Sequence, residues 1–157
     1  MTSKCARWMI VSYVLFFASS GCSSNTGPSP AETAAAGTYS LTAISGSAVP
    51  VVTIPNGAGG CVGTVDRGTF TLDSNKSYTL QLNAHFTCPT PPVNNLTARE
   101  EGTWSASGNT ITFTGLNILS PSNATLNGRT LVVSMNVTTY GGPGENNGQR
   151  VPTTWQK

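Results

Sequence analysis

Charged residues are scarce in this chain of 157 residues: only 9% are Asp, Glu, Lys or Arg, and His85 is the one histidine. Helices at a protein surface usually carry Glu, Lys and Arg on their solvent face, so this shortage argues against a helical protein. Thr, Ser, Asn and Gly are abundant instead. Such a composition favours strands joined by tight turns, and we therefore predict an all-β fold.

An excess of positive charge is also missing. Beyond residue 22 the sequence has six basic and six acidic residues, so the net charge of this part is near zero. A protein that binds the phosphates of nucleic acid needs clustered Lys and Arg. We therefore expect no nucleic-acid partner.

The residue patterns of common active sites are absent from the sequence. His85 lies on the polar face of a predicted strand, and no sequence signature supplies it with a partner residue. Glu100 and Glu101 are adjacent, so in a strand they point to opposite faces and cannot flank one substrate. Neither a G-x-S-x-G motif nor a phosphate-binding loop ending in G-K-[ST] occurs. We predict no metal site, no cofactor and no enzymatic activity.

Long apolar runs are limited to the N-terminal segment. Lys4 and Arg7 precede eleven mostly apolar residues, 8–18, and a membrane-spanning helix needs about 20. This pattern predicts a signal peptide. It ends in S-S-G-C at residues 19–22, which resembles the lipobox of bacterial lipoproteins, although that family prefers Leu where Ser19 stands.

The resemblance to the lipobox implies how the mature protein begins. In lipoproteins the cysteine receives a diacylglyceryl group, the chain is cut just before it, and the new N-terminus is acylated. We expect Cys22 to be this cysteine, residues 1–21 to be the signal peptide, and the membrane to be a partner through the lipid. The location would be the cell envelope, at the outer membrane if the organism has two membranes. The alternative is an ordinary secretory signal cut elsewhere, such as after Ala18.

Residues 22–36 are small and polar and are interrupted by Pro28 and Pro30. This composition predicts a flexible tether between the lipid and a folded domain at residues 37–157. The alanine run at its end is short and uncapped, so no helix is predicted there.

The cysteines agree with export from the cytoplasm. Cys5 lies in the signal peptide and Cys22 is the expected lipid site, which leaves Cys61 and Cys88 as an even pair. In an oxidising compartment such a pair predicts a disulfide. The alternative is two independent buried thiols.

The clearest strand pattern lies at residues 68–86, where apolar and polar residues alternate on both sides of a turn. Face parity requires three loop residues, 74–76, with one in a left-handed conformation. Later in the chain, Gly108-Asn109 and Asn127-Gly128 fit two-residue hairpin turns. We predict an antiparallel up-and-down meander of about eight to ten strands that closes into a barrel or stays partly open, with an open β-sandwich as the alternative.

Several short motifs resemble those of the bacterial lipocalin-like domains. The chain departs from true lipocalins, which begin with G-x-W, because Tyr39 stands at the aromatic position. The resemblance covers about residues 37–157 and implies a lipocalin-like barrel in a small exported lipoprotein. The motifs are G-T-Y at 37–39, I-S-G-S-A-V-P at 44–50, G-T-F-T-L at 68–72, S-G-N-T-I-T-F at 107–113 and N-G-R-T-L at 127–131.

Two kinds of function remain open. One is a binding module whose interior holds a small apolar ligand, with an opening rimmed by the predicted loops at 55–60, 89–96 and 141–148. The other is a structural or protein-interaction module of the envelope with a filled core, since small barrels often fill their interiors with side chains. In the first case the ligand-binding residues would be Phe70, Tyr78, Leu80, Trp104 and Phe113.

Overall fold

A computed structural model describes residues 27–54, 58–89, 94–115, 119, 121–137 and 150–157. In this part of the chain no helix is long and apolar enough to cross a bilayer. The predicted signal peptide, Cys22 and the glycine-rich stretch at 141–148 lie outside the described residues. The described elements are α1 (Pro30–Ala35), β1 (Gly37–Ile44), β2 (Ser47–Ala48), β3 (Val51–Ile54), a 3₁₀ turn (Ala58–Gly60), β4 (Val62–Leu72), β5 (Ser77–Thr87), β6 (Asn94–Ser107), β7 (Thr110–Thr114), β8 (Asn123–Asn127), β9 (Thr130–Met135) and β10 (Val151–Gln156).

Eight of these strands form a closed antiparallel barrel. Each of the strands β4 to β9 pairs with the next along the chain, β10 pairs with β1, and β1 pairs with β4 to complete the ring. Closure leaves no free edge along the paired strands. The predicted meander and barrel are therefore confirmed, and the alternative of an open β-sandwich is wrong.

The seam between β1 and β4 is closed along only part of its length. Residues 37–40 of β1 pair with residues 69–72 of β4. Farther along, β1 pairs with β2 and the first half of β4 pairs with β3. The two short strands therefore fill the gap where β1 and β4 diverge.

The two ends of the barrel carry different connections. At one end, which we call the turn end, tight turns join β4 to β5, β6 to β7 and β8 to β9. At the other end, the loop end, a short turn joins β1 to β2, but the remaining connections are long. These long connections are residues 55–61, 88–93, 115–122 and 136–150.

The three tight turns test the register predicted from the sequence. Lys76 has a φ of 71°, as the three-residue loop of the first hairpin requires, and Ala106 pairs with Ile111 as predicted. The third turn was predicted in the wrong register, because Leu126 pairs with Leu131 and not with Arg129. Gly128, with a φ of 61°, is therefore the first of the two loop residues.

A helix forms where none was predicted. The Ser29 side chain accepts a hydrogen bond from the backbone N–H of Glu32, whose carboxylate accepts one from the backbone N–H of Ser29. This reciprocal arrangement is a capping box, and Pro30 occupies the first turn, where its missing N–H has no cost. The statement that the alanine run is uncapped was therefore wrong.

Helix α1 packs on the turn end of the barrel. Ala35 is fully buried, and its carbonyl oxygen accepts a hydrogen bond of 2.6 Å from the Tyr39 hydroxyl. Lys76 Nζ lies 2.9 Å from the Glu32 carboxylate, and Lys157 Nζ donates to the carbonyl of Ala34. The C-terminal part of the predicted tether is thus attached to the barrel.

A β-bulge interrupts the pairing of β4 with β5. Val65 pairs with Ala84 and Arg67 pairs with Asn83, so Asp66 is an extra residue in β4. Val65 and Gly68 are both buried, whereas Asp66 and Arg67 between them are not. The bulge therefore places two consecutive side chains on the outer face.

The predicted disulfide between Cys61 and Cys88 is confirmed. It joins the residue before β4 to the residue after β5, at the loop end of the barrel. The bond therefore holds β4 and β5 together where they enter the long connections.

Candidate ligand site in the barrel interior

The five residues predicted to bind ligand are all buried on the inner face of the barrel. The Phe70 ring lies 5.6 Å from the Tyr78 ring and 5.1 Å from the Phe113 ring, measured between centroids. Leu80 is opposite Phe70, and Trp104 is opposite Phe113. The structure therefore brings all five together, in the half of the interior near α1, where they pack on one another. Their role in ligand binding stays a prediction.

On β4 to β6, smaller side chains line the half of the interior near the loop end. On β4 the inner residues here are Gly63 and Val65, and Ala84 and Ala98 continue this wall on β5 and β6. Phe86, beside Gly63 at the end of β5, is partly exposed. Along β4 to β6 the inner residues thus change from large ones at the turn end to smaller ones near the loop end, where Ile54, Leu119 and Met135 of other elements are also buried.

A carboxylate lies inside the barrel. Glu100 is only 3% exposed, whereas the neighbouring Glu101 points outward and pairs with Arg99 at 2.5 Å. The Glu100 carboxylate accepts a 2.7 Å hydrogen bond from the Tyr78 hydroxyl and a 3.1 Å bond from the backbone N–H of Leu119. These donors compensate part of the cost of burying the carboxylate.

Sequence reasoning did not propose Glu100 as a site residue, although the signal was present. Residues two apart in a strand share a face, so Glu100 and Gly102 share the face of Trp104. Trp104 lies on the apolar, inner face of β6, and counting back along the strand by two and then four residues places Glu100 on the same face. Because the two glutamates point to opposite faces, one of them has to point into the barrel, and that one is Glu100.

Tyr78 remains a hydrogen-bond donor at ordinary pH. Burial raises the pKa of its phenol, and the hydrogen bond to the Glu100 carboxylate raises that pKa further. A buried acceptor supported by a fixed donor is the type of polar group that orients a ligand in an otherwise apolar pocket.

Leu119 links two of the long connections to this carboxylate. It belongs to the β7–β8 connection, is 1% exposed and packs in the hydrophobic core. Its carbonyl oxygen accepts a 2.9 Å hydrogen bond from the backbone N–H of Asn136, in the β9–β10 connection. Glu100 therefore fixes part of the loop end directly.

His85 lies on the outer face, as predicted, but it has a partner that sequence reasoning missed. Its Nδ1 lies 2.9 Å from both carboxylate oxygens of Asp66. Among the described residues, neither a hydroxyl nor a thiol is hydrogen-bonded to this histidine, and no three His, Cys, Asp or Glu residues lie together as metal ligands would. The pair is therefore not accompanied by a nucleophile or a metal cluster in that part of the chain.

The architecture is that of an up-and-down β-barrel, whose interior holds either side chains or one small ligand at this strand number. A family model described as a lipocalin-like domain matches residues 35–133, more than half of the chain. The chain belongs to this lipocalin-like domain family, as its motifs predicted. No curated protein and no solved structure matches it.

Proposed function

We propose that this protein is a non-enzymatic binding module of the cell envelope that takes one small, mainly apolar molecule into its barrel from the loop end. The observation that carries the proposal is the difference between the two halves of the interior. On β4 to β6, large side chains occupy the half near α1, while Gly63, Val65, Ala84 and Ala98 lie in the other half. Larger side chains from other elements are buried in that half too: Ile54, Leu119 and Met135. Membership of the lipocalin-like family supports this type of function.

The interior chemistry favours a particular kind of ligand. An apolar body would gain affinity from burial against Val65 and Ala98, at about 25 cal/mol per Å² of apolar surface removed from water. A hydroxyl or amine on that body would donate to Glu100. A carboxylate would be repelled by it, because two like charges close together disfavour each other in a dry site.

Native mass spectrometry of protein purified from its own cells tests the proposal. We expect a bound small molecule in the wild-type protein and less of it in Ala98→Phe, because the added ring would occupy the half of the interior near the loop end. Thr103→Phe, on the exposed face of the same strand, serves as the control and should retain the molecule. A wild-type protein without any bound molecule would contradict the proposal, as would an Ala98→Phe variant that retains as much ligand as the wild type.

A structural or interaction module with a filled core is the second candidate. The contacts between the Phe70, Tyr78 and Phe113 rings favour it, because they leave this half of the barrel occupied by side chains. If side chains also filled the half of the interior near the loop end, Ala98→Phe would overpack the core and lower the free energy of unfolding by about 1–3 kcal/mol. Turnover of a substrate that His85→Ala abolishes would contradict both non-enzymatic candidates.

The envelope location rests on a lipid at Cys22, which lies outside the described residues. Mass spectrometry of the N-terminal peptide should find Cys22 as the first residue, carrying three acyl chains. At about 0.8 kcal/mol per buried methylene, such an anchor would hold the protein on the membrane practically irreversibly. We expect Cys22→Ala to move the protein from the membrane to the soluble fraction and Cys5→Ala to leave it in place. An unmodified Cys22, or a mature chain that begins elsewhere, would refute the anchor.

A further inference from the structure

The bulge in β4 creates an unusual juxtaposition on the outer face of the barrel. Regular alternation would send Asp66 and Arg67 to opposite faces, but the extra residue leaves both outside. Across from them, Asn83 on β5 and Thr97 on β6 also point outward, and these two residues are paired with each other in the ladder. Charged and polar side chains from three strands therefore meet at one place.

These side chains border a groove of about 440 Å³. A volume of this size lies within the range of about 300–1,000 Å³ that is typical of small-molecule sites. Most of its lining residues are polar, although Ala84 also belongs to the inner wall of the barrel. The lining residues are Asp66, Arg67, Asn83, Ala84, Asn95, Leu96 and Thr97.

Existing hydrogen bonds hold the acceptors of this groove in place and leave donors available. The Asp66 carboxylate is held by His85 at 2.9 Å. The amide oxygen of Asn83 accepts from the Thr97 hydroxyl at 3.0 Å and from the Gln81 amide at 3.4 Å, so its NH₂ group is not used by the described residues. The Arg67 guanidinium forms no ion pair with a described residue, unlike Arg99, which is paired with Glu101.

We propose that this groove binds a carboxylate-bearing sugar, a hexuronate unit of an acidic carbohydrate. A guanidinium matches a carboxylate in a bidentate geometry, so Arg67 would bind the acid group. Asp66, fixed by His85, would accept hydrogen bonds from sugar hydroxyls, and the Asn83 NH₂ would donate to a ring or hydroxyl oxygen. A neutral sugar would use the same hydroxyl contacts and leave Arg67 without its partner. The proposal is independent of the interior site.

Saturation-transfer NMR on the full chain, with trigalacturonate and the neutral galactose trisaccharide as probes, tests this assignment. We expect the acidic trisaccharide to bind at least tenfold more tightly than the neutral one and its binding to weaken as salt is raised. Arg67→Gln should weaken binding of the acidic probe about tenfold, since a hydrogen bond to a charged group is lost. Arg129→Gln, in the β8–β9 turn at the far end of the barrel, should leave binding unchanged.

A second variant tests whether a folding defect explains the effect of the first. Asn83→Asp replaces the donor by another carboxylate, and like-charge repulsion should then reduce binding of trigalacturonate more than binding of the neutral trisaccharide. Thermal unfolding of each variant verifies that the barrel is intact. Equal binding of the two probes, absence of binding at millimolar concentration, or an affinity that neither variant changes would overturn the assignment.

Discussion

Replacing Gly102 with alanine is expected to lower the free energy of unfolding by about 3 kcal/mol, which combines overpacking with the loss of a buried hydrogen bond. Gly102 on β6 is opposite Tyr78 on β5. A Cβ atom at Gly102 would lie 2.5 Å from the Thr114 carbonyl oxygen and 2.6 Å from Tyr78 Cε1. The carbonyl belongs to strand β7, so it cannot withdraw without disturbing the β6–β7 ladder. Displacement of the Tyr78 ring would lengthen its hydrogen bond to Glu100.

Urea unfolding of the wild type and of Gly102→Ala measures this effect. The matched control is Gly27→Ala, because no atom lies within 4 Å of a Cβ built at Gly27. A surface substitution of this kind changes stability by less than about 0.5 kcal/mol. If Gly102→Ala were as stable as the control, β6 and β7 would not approach each other as closely at this point as the structure has them.

The second large effect is expected from the disulfide. Cys61 and Cys88 are separated by 27 residues, and closing a loop of that length stabilises the folded state by about 3–4 kcal/mol in the chain-entropy account. Removing the bond by substituting both cysteines with alanine should therefore lower the free energy of unfolding by this amount. The reduction should be visible as a lower urea midpoint for the double variant.

The single variants provide the internal control for this experiment. Cys61→Ala and Cys88→Ala each break the same bond, so each should lose about as much stability as the double variant, and the losses should not add. Labelling of the unfolded, non-reduced wild-type protein should detect neither Cys61 nor Cys88 as a free thiol. Full labelling of both residues, or additive losses in the two single variants, would contradict the bond.

Local patterns were sufficient to predict most hairpins but not every register. Both Asn127-Gly128 and Gly128-Arg129 keep Leu126 and Leu131 on one face, so parity cannot distinguish the two loops. The observed loop is Gly128-Arg129 because Asn127 pairs with Thr130, and Gly128 supplies the positive φ at the first loop position. Closure of the barrel depends on pairs distant in sequence, such as Tyr39 with Phe70, for which no short motif exists.

Two further features required information beyond alternation. Helix α1 was missed because its capping box, S-P-A-E at residues 29–32, was not recognised before a run of alanines. The contact of His85 with Asp66 depends on the bulge. A regular alternation of inner and outer residues does not reveal that V-D-R-G at residues 65–68 contains an inserted residue. The inward aromatic residues were predictable because each of them follows the simple period of two.

The attachment of α1 to the barrel determines which way the protein would face. Helix α1 leads into β1 at the turn end, and Lys157 donates to the Ala34 carbonyl, so α1 and Lys157 lie together there. Seven residues separate Cys22 from Pro30, and even fully extended they reach only about 25 Å. With Cys22 in the bilayer, the turn end would therefore stand next to the lipid headgroups. The loop end would then face water, so a ligand of the proposed interior site would enter from the aqueous compartment and not from the membrane.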